Sequence, residues 1–317
     1  GIAGLSAGIF GRLNGFDTTI FEMNHKLGGV CTSWEREGYS VNGSIHWLVG
    51  SAPGTDIYDI WRKLGVIEEN TFYNHSHFVI FRDVQGKEVR FYIDVDKLEE
   101  HLLELAPEDE TLIRAMTKAI RTFARADFPM DKAFELFSVF DWTKLVLGNL
   151  PAVMAMSKYG QISMREFAEQ FQSPILREVF LNFCTPKMAM SFILMQLGYA
   201  HMGSAGYPLG GSGKFIEKLE HRYRALGGEV RFGQKVTRIA TAAGKATGLV
   251  TEDGTEHHSD YVIAACDGHT VLFKMLDPNY IPAHISEAYR TLETFPSLLY
   301  FSAGIRRTFE DVDIALN

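Results

Sequence analysis

The pattern of apolar and polar positions changes period several times along the chain, and each change marks an element. Residues from about Gly4 to Asn14 and from Asp56 to Leu64 have the spacing of amphipathic helices. Between them, Thr18–Phe21 is a short apolar strand closed by the acidic Glu22. His77–Phe81 and Glu88–Ile93 alternate with period two, and Gln85-Gly86 between them predicts a β-hairpin. Asp94 and Asp96 then offer an N-cap for a helix through Leu105, which Pro107 ends. Residues 108–200 read as mostly helical, with breaks at Pro129, Pro151, Ser173-Pro174 and Pro186. A glycine-rich stretch, Tyr207–Gly213, leads into a helix from Lys214 to Leu226. Strands over 229–232, 234–239 and 246–251 follow, then the turn Asp253-Gly254. The apolar run Tyr261–Ala265 predicts a buried strand, and 297–305 predicts a last one that pairs with the hairpin sheet. No internal repeat or low-complexity stretch is present.

Composition narrows the functions available. With 317 residues the chain can bury one large core or two smaller ones. A net charge of −8 and no basic tract argue against a nucleic-acid partner, whose phosphates demand a basic surface. Three distant cysteines, Cys31, Cys184 and Cys266, form no C-x-x-C pair, which fits a reducing, cytoplasmic setting without a zinc site. The least polar run, Leu145–Met156, is too short to span a bilayer and contains Pro151. The helical middle is rich in Met and aromatic residues, among them Phe134, Phe137, Phe140, Trp142, Met154, Met156, Met188, Met190 and Met195. These read either as plain helical core or as the lining of a tunnel for a long apolar substrate.

The first residues carry the most chemistry. Gly1-Ile2-Ala3-Gly4 reads as the end of a G-x-G-x-x-G fingerprint whose first glycine and strand precede the chain. In such a motif Gly1 lets backbone approach a pyrophosphate, Gly4 lets the helix pack on the sheet, and the helix N-terminus offers free N–H groups to the anion. Glu22, about 20 residues on, stands where a carboxylate accepts from ribose hydroxyls and repels a 2′-phosphate. The bland alternative is a strand–helix turn without a ligand. Gly4-Leu5-Ser6-Ala7-Gly8 also fits the G-x-S-x-G elbow of α/β-hydrolases, but Ser6 then lacks an upstream oxyanion loop and reads as a small helix residue. Gly211-Ser212-Gly213-Lys214 resembles part of a P-loop, yet Pro208 and Phe215 occupy places that need glycine and Ser or Thr. His75 and His77 sit two apart with no third metal ligand placed beside them, and His257-His258 reads as solvated.

After Glu22 come Gly28-Gly29-Val30-Cys31 and then Gly38-Tyr39-Ser40-Val41-Asn42-Gly43-Ser44-Ile45-His46-Trp47. With this glycine doublet the chain resembles the flavin amine oxidase and phytoene desaturase superfamily, and within it the branch of phytoene desaturases, carotenoid isomerases and retinol saturase. Val30 departs from the Arg of many relatives, and Asn42 from the branch's usual Asp. The resemblance covers roughly residues 1–50 and 203–275. It implies an α/β fold: a Rossmann-like FAD-binding domain built from discontinuous segments (1–75 and 203–275), with an α+β substrate domain (76–202 and 276–317) of mixed sheet and helical cap. FAD is the implied cofactor, held by Gly1, Ile2, Ala3, Gly4, Glu22, Gly28, Gly29, Val236 through its backbone to adenine, and Asp267 after the strand that completes the nucleotide sheet. Cys31 fits simple packing near the diphosphate.

The resemblance also implies hydride transfer at carbon–carbon bonds of an apolar, isoprenoid-like substrate, by desaturation, saturation or isomerisation. The His46 segment would run under the flavin ring, making His46 the candidate proton donor or acceptor; a structural histidine bonded to backbone is the competing reading. Peripheral membrane contact is expected for collecting such a substrate. The electron partner, whether oxygen, quinone or nicotinamide, leaves no signature. The family's C-terminal flavin motif does not appear before Asn317, so the chain reads as a fragment. Two rivals remain: a flavin amine oxidase, and a non-catalytic flavin-binding or scaffold protein.

Overall fold

The computed structural model describes residues 1–308 apart from 69, 85, 127, 128, 131, 295, 296, 298, 300 and 302. The chain folds into two compact units: one from Gly1–Ile45, Leu64–Glu69 and Gly210–Arg306, the other from His46–Lys63 and Asn70–Leu209.

Numbered along the whole chain, the first unit begins with α1 (Ile2–Leu13), β1 (Thr19–Glu22), β2 (Ser33–Arg36) and β3 (Tyr39–Asn42). It resumes with α10 (Gly211–Ala225), β9 (Glu229–Phe232), β10 (Val236–Ala242), β11 (Lys245–Thr251), β12 (Glu256–His258), α11 (Gly268–Thr270) and α12 (Ala283–Thr291). β1 and β9 pair in parallel, from Thr19↔Glu229 to Glu22↔Phe232. Parallel pairing needs a crossover, and the segments that pair are more than 200 residues apart in sequence. α1 and α10 pack together beside this pair. Leu5, Ile9, Phe215, Leu219 and Tyr223 are fully buried there. The Tyr223 hydroxyl donates to the Thr18 carbonyl at 2.8 Å, so the buried phenol has its partner. Its ring lies so close to Gly8 that a Cβ there would come within 2.7 Å of it, so α1 needs the bare backbone at that point. β10, β11 and β12 form an antiparallel meander, turned at Gly254.

The second unit contains β4 (Leu48–Val49), α2 (Asp56–Lys63), β5 (Phe72–Tyr73), β6 (His77–Arg82), β7 (Glu88–Tyr92), α3 (Val95–Leu105), α4 (Glu110–Ala124), α5 (Val139–Gly148), α6 (Leu150–Tyr159), α7 (Met164–Ala168), α8 (Pro174–Asn182), α9 (Met190–His201) and β8 (Ala205–Pro208). β6 and β7 form the expected antiparallel hairpin, although Gln85 of its turn lies outside the described residues. β8 pairs antiparallel with both β4 and β5. The core is aromatic and helical: Phe171 stacks on Phe180 at 4.9 Å, and Phe91 meets Phe180 edge-on at 5.6 Å. The buried Asp109 accepts from the Gln172 and Ser173 N–H groups at 2.7 and 2.8 Å, next to the start of α8.

Several local expectations change. α1 starts at Ile2 and α10 at Gly211, each earlier than the periodicity suggested, because glycines lead directly into the first turn. Asp94 alone caps α3, accepting from Asp96 and Lys97, so Asp96 is inside the helix. The helical run does break at Pro151 and at Ser173-Pro174, and each proline sits in the first turn of the next helix, α6 or α8, as suits a residue with no N–H to leave unsatisfied. Tyr261–Ala265 is not a buried strand: Tyr261 and Ile263 are exposed by 74% and 71%. An apolar run becomes a strand only against a backbone partner, and the described residues bring none alongside it. The strand expected over 297–305 falls in part on 298, 300 and 302, which lie outside the described residues.

Candidate cofactor site

The head of α1 carries an unsatisfied set of donors. Gly1 is its N-cap and has no side chain to cap with, so the first-turn N–H groups of Ile2, Ala3 and Gly4 have no side-chain acceptor. The glycine doublet folds onto this helix start. Gly28 has φ +128° and Gly29 φ +59°, both left-handed conformations that cost an L side chain energy. A Cβ on Gly29 would stand 3.2 Å from the Gly1 Cα, and one on Gly28 would stand 2.4 Å from the Cys31 carbonyl oxygen. The Cys31 N–H closes the turn onto the Gly28 carbonyl at 3.1 Å. Two residues without Cβ and a helix N-terminus therefore meet at one point, an arrangement suited to an anionic diphosphate.

Glu22 ends β1, and its carboxylate is already oriented. One oxygen, Oε1, accepts from the Asn24 backbone N–H at 2.9 Å and from Asn24 Nδ2 at 3.0 Å. The other carries no such bond and keeps its acceptor capacity. The Gln234 N–H donates to the Glu22 carbonyl at 3.0 Å, and the Gly233 N–H to the Asn24 carbonyl at 3.2 Å. These bonds bring the connection before β10 beside Glu22, with Val236 two residues further along.

Asp267 caps α11, accepting from the Thr270 N–H at 2.7 Å, and the hydrogen bonds from Thr270 hold its carboxyl below the usual carboxylate range. Its neighbour Ala265 lies against Gly4, since a Cβ on Gly4 would touch Ala265 Cβ at 3.6 Å. Gly1, Ile2, Ala3, Gly4, Gly28 and Gly29 thus share one end of the first unit, with Asp267 two residues beyond a contact to it. Glu22 and the connection that leads to Val236 meet at the end of the β1–β9 pair. His46 opens the second unit, exposed, its ring centroid 6.1 Å from that of Trp47. Ser6 lies in the first turns of α1, half-buried.

His77 is buried at the start of β6, its Nδ1 2.9 Å from Ser76 Oγ and its ring 4.7 Å from Tyr92. His75 precedes the strand, packs edge-on against Tyr73 and has its pKa lowered by burial. Among the described residues, no three His, Cys, Asp or Glu side chains are grouped to hold a metal. Three residues with clear roles in the geometry escaped the sequence reading: Asn24, Gln234 and Ser212. Asn24 had a signal, because an Asn two residues after a strand-ending carboxylate can bond back to it. Gln234 acts through its backbone and leaves none.

The fold is shared with solved proteins. The chain resembles the crystal structure of an oxidoreductase from Methanosarcina mazei with a TM-score of 0.57 at 19% identity, covering 92% of this chain and 62% of that one. Among curated proteins it is 23% identical over 279 residues to a lycopene-forming phytoene desaturase from a Paracoccus species, covering 84% of this chain and 53% of the relative. It is 22% identical over 334 residues to a 1-hydroxycarotenoid 3,4-desaturase from a Flavobacterium species, covering 99% and 64%. The chain spans about half to two thirds of the length of these relatives. The family of flavin containing amine oxidoreductases matches residues 2–315. The chain therefore belongs to the flavin containing amine oxidoreductase family, and its cofactor is FAD.

Proposed function

We propose that the whole protein is an FAD-dependent oxidoreductase that introduces, removes or isomerises carbon–carbon double bonds in an apolar, isoprenoid-like substrate. The observation that carries the cofactor half of this reading is the cradle of Gly1, Gly28 and Gly29 at the uncapped head of α1. The likeness to two carotenoid desaturases supports the substrate half. The N–H groups of Ile2, Ala3 and Gly4 bind the diphosphate, and the doublet lets backbone close over it. Glu22, oriented by Asn24, accepts from the ribose, and Val236 offers backbone to the adenine. Asp267, the N-cap of α11 two residues after Ala265, which lies against Gly4, would face the cofactor. When bound, the cofactor supplies acceptance and donation of a hydride. His46 exchanges a proton with the substrate.

The test is anaerobic mixing of the FAD-loaded protein with a detergent-dispersed C40 polyene or with putrescine. Bleaching of the flavin band by the polyene alone is expected if the polyene is the electron donor. If the natural reaction runs the other way, chemically reduced protein is reoxidised by the polyene. Reduction by putrescine with peroxide release would instead establish the amine oxidase reading. A flavin that responds to neither would favour a non-catalytic protein.

The second unit offers a way to reach such a substrate. Val139, Phe140, Leu147 and Met154 on α5 and α6 are exposed by 84%, 76%, 71% and 64%, with Trp142 beside them. Among the described residues no helix is long and apolar enough to cross a membrane. The exposed band fits partial insertion into one leaflet. Burying a Phe or Leu side chain gains roughly 1.5–3 kcal/mol. Phe140→Asp combined with Leu147→Asp is therefore expected to lower binding to phosphatidylcholine–phosphatidylglycerol vesicles by roughly 100-fold or more. Equal sedimentation of the double variant with vesicles would rule this face out.

A further inference from the structure

We propose that Asn42 and Ser212 form a lock that positions the backbone leading into His46, both acting as positioning residues. The inference rests on the proposed role of that segment beside the flavin.

Asn42 is the last residue of β3, and Ser212 lies in the first turn of α10, 170 residues away. Ser212 is fully buried. Its hydroxyl donates to Asn42 Oδ1 at 2.6 Å, and its backbone N–H donates to the same oxygen at 3.0 Å. The Ile45 N–H in turn donates to Ser212 Oγ at 3.1 Å. Asn42 Nδ2 closes the ring by donating to the Ile45 carbonyl at 2.8 Å. Ser44 Oγ lies 3.5 Å from Ser212 Oγ. Asn42 thus supplies from afar the cap that Gly210 cannot give α10, and Ile45 is held through both its N–H and its C=O. Ile45 is the residue immediately before His46.

The ring also accounts for asparagine at a position where the related branch usually has aspartate. The side chain must accept on one side, from two donors, and donate on the other, to a carbonyl. The amide does both in one protonation state, which an ionised carboxylate cannot. A carboxylate would keep the two Ser212 contacts and sit favourably at a helix N-terminus. Its second oxygen would then face the Ile45 carbonyl oxygen, and the turn 42–45 would open on that side.

The experiment uses the FAD-loaded protein and four variants: Ser212→Ala, Asn42→Asp, Asn42→Ala and the rescue variant Ser212→Thr. FAD affinity, the visible circular dichroism of the bound flavin and the rate of its anaerobic reaction with the C40 polyene are measured for each. Because the cradle is elsewhere, FAD affinity is expected to stay within about threefold of wild type. The flavin dichroism is expected to change and the reaction to slow by roughly tenfold or more, since displacements near 1 Å cost that much in positioned chemistry. Ser212→Thr, which keeps the hydroxyl, is expected to restore both signals. Unchanged dichroism and rate in Ser212→Ala and Asn42→Asp would overturn the proposal, as would a parallel loss of FAD affinity, which would make the segment part of the cofactor's hold. Should Asn42→Ala fail to fold, Ser212→Ala and Asn42→Asp decide. If wild type binds no FAD, the function fails rather than the lock. Amide exchange at Ile45 then judges the lock, with faster exchange in Ser212→Ala expected and equal exchange refuting it.

Discussion

Gly28→Ala is expected to produce a folded protein that retains little or no FAD. At φ +128° any L side chain is strained, and the new Cβ would sit 2.4 Å from a backbone oxygen, that of Cys31. Backbone cannot swing aside as a long side chain can. The turn from Gly28 to Cys31 must open, breaking the 3.1 Å hydrogen bond that closes it and moving the doublet off the head of α1. Strain and overpacking of this kind cost about 2–4 kcal/mol together. If most of that falls on the cofactor-binding conformation, FAD affinity drops roughly 30- to 900-fold. Titration of the apoprotein with FAD, followed by flavin fluorescence, measures it, with far-UV circular dichroism as the check on folding. Wild-type affinity in a folded Gly28→Ala protein would remove the doublet from the cofactor site.

Glu22→Ala comes next in size. Charge-assisted hydrogen bonds contribute on the order of 1.5–3 kcal/mol, so loss of the ribose acceptor is expected to raise the FAD dissociation constant roughly 10- to 150-fold. Glu22→Gln keeps an acceptor without the charge and should lose less. The effect divides by position along the cofactor: Glu22→Ala should weaken ADP and FAD alike, and riboflavin not at all. An ADP affinity equal to wild type would sink the assignment of Glu22 to the ribose.

The glycine cluster and the strand-ending carboxylate are legible in the sequence because their chemistry is local. Gly1-Ile2-Ala3-Gly4 and the Gly28-Gly29 doublet announce themselves through residue type, and the structure brings them together at one point. Glu22 was legible as a carboxylate ending a strand, but its partner Asn24 was passed over. The hairpin of β6 and β7 and the cap at Asp94 followed from period and capping rules. Tyr261–Ala265 failed because hydrophobicity says only that a segment wants cover, while strand formation depends on backbone elsewhere in the chain. Ser212 was hidden for a similar reason. In sequence it belongs to a glycine-rich motif that fails as a P-loop, and its meaning comes from Asn42, 170 residues earlier. The Met- and Phe-rich middle divided in a way composition could not foresee. Met190 is in the core, whereas Phe140 and Met154 face outward.

The proposed function requires a protein that holds FAD and uses it. The most direct measurement is the visible absorption spectrum of the full protein purified without added cofactor, followed by anaerobic reduction. A flavin spectrum that bleaches on reduction is the expected result. A colourless protein that also takes up no added FAD would contradict it, and the glycine cradle would then be a strand–helix turn without a ligand.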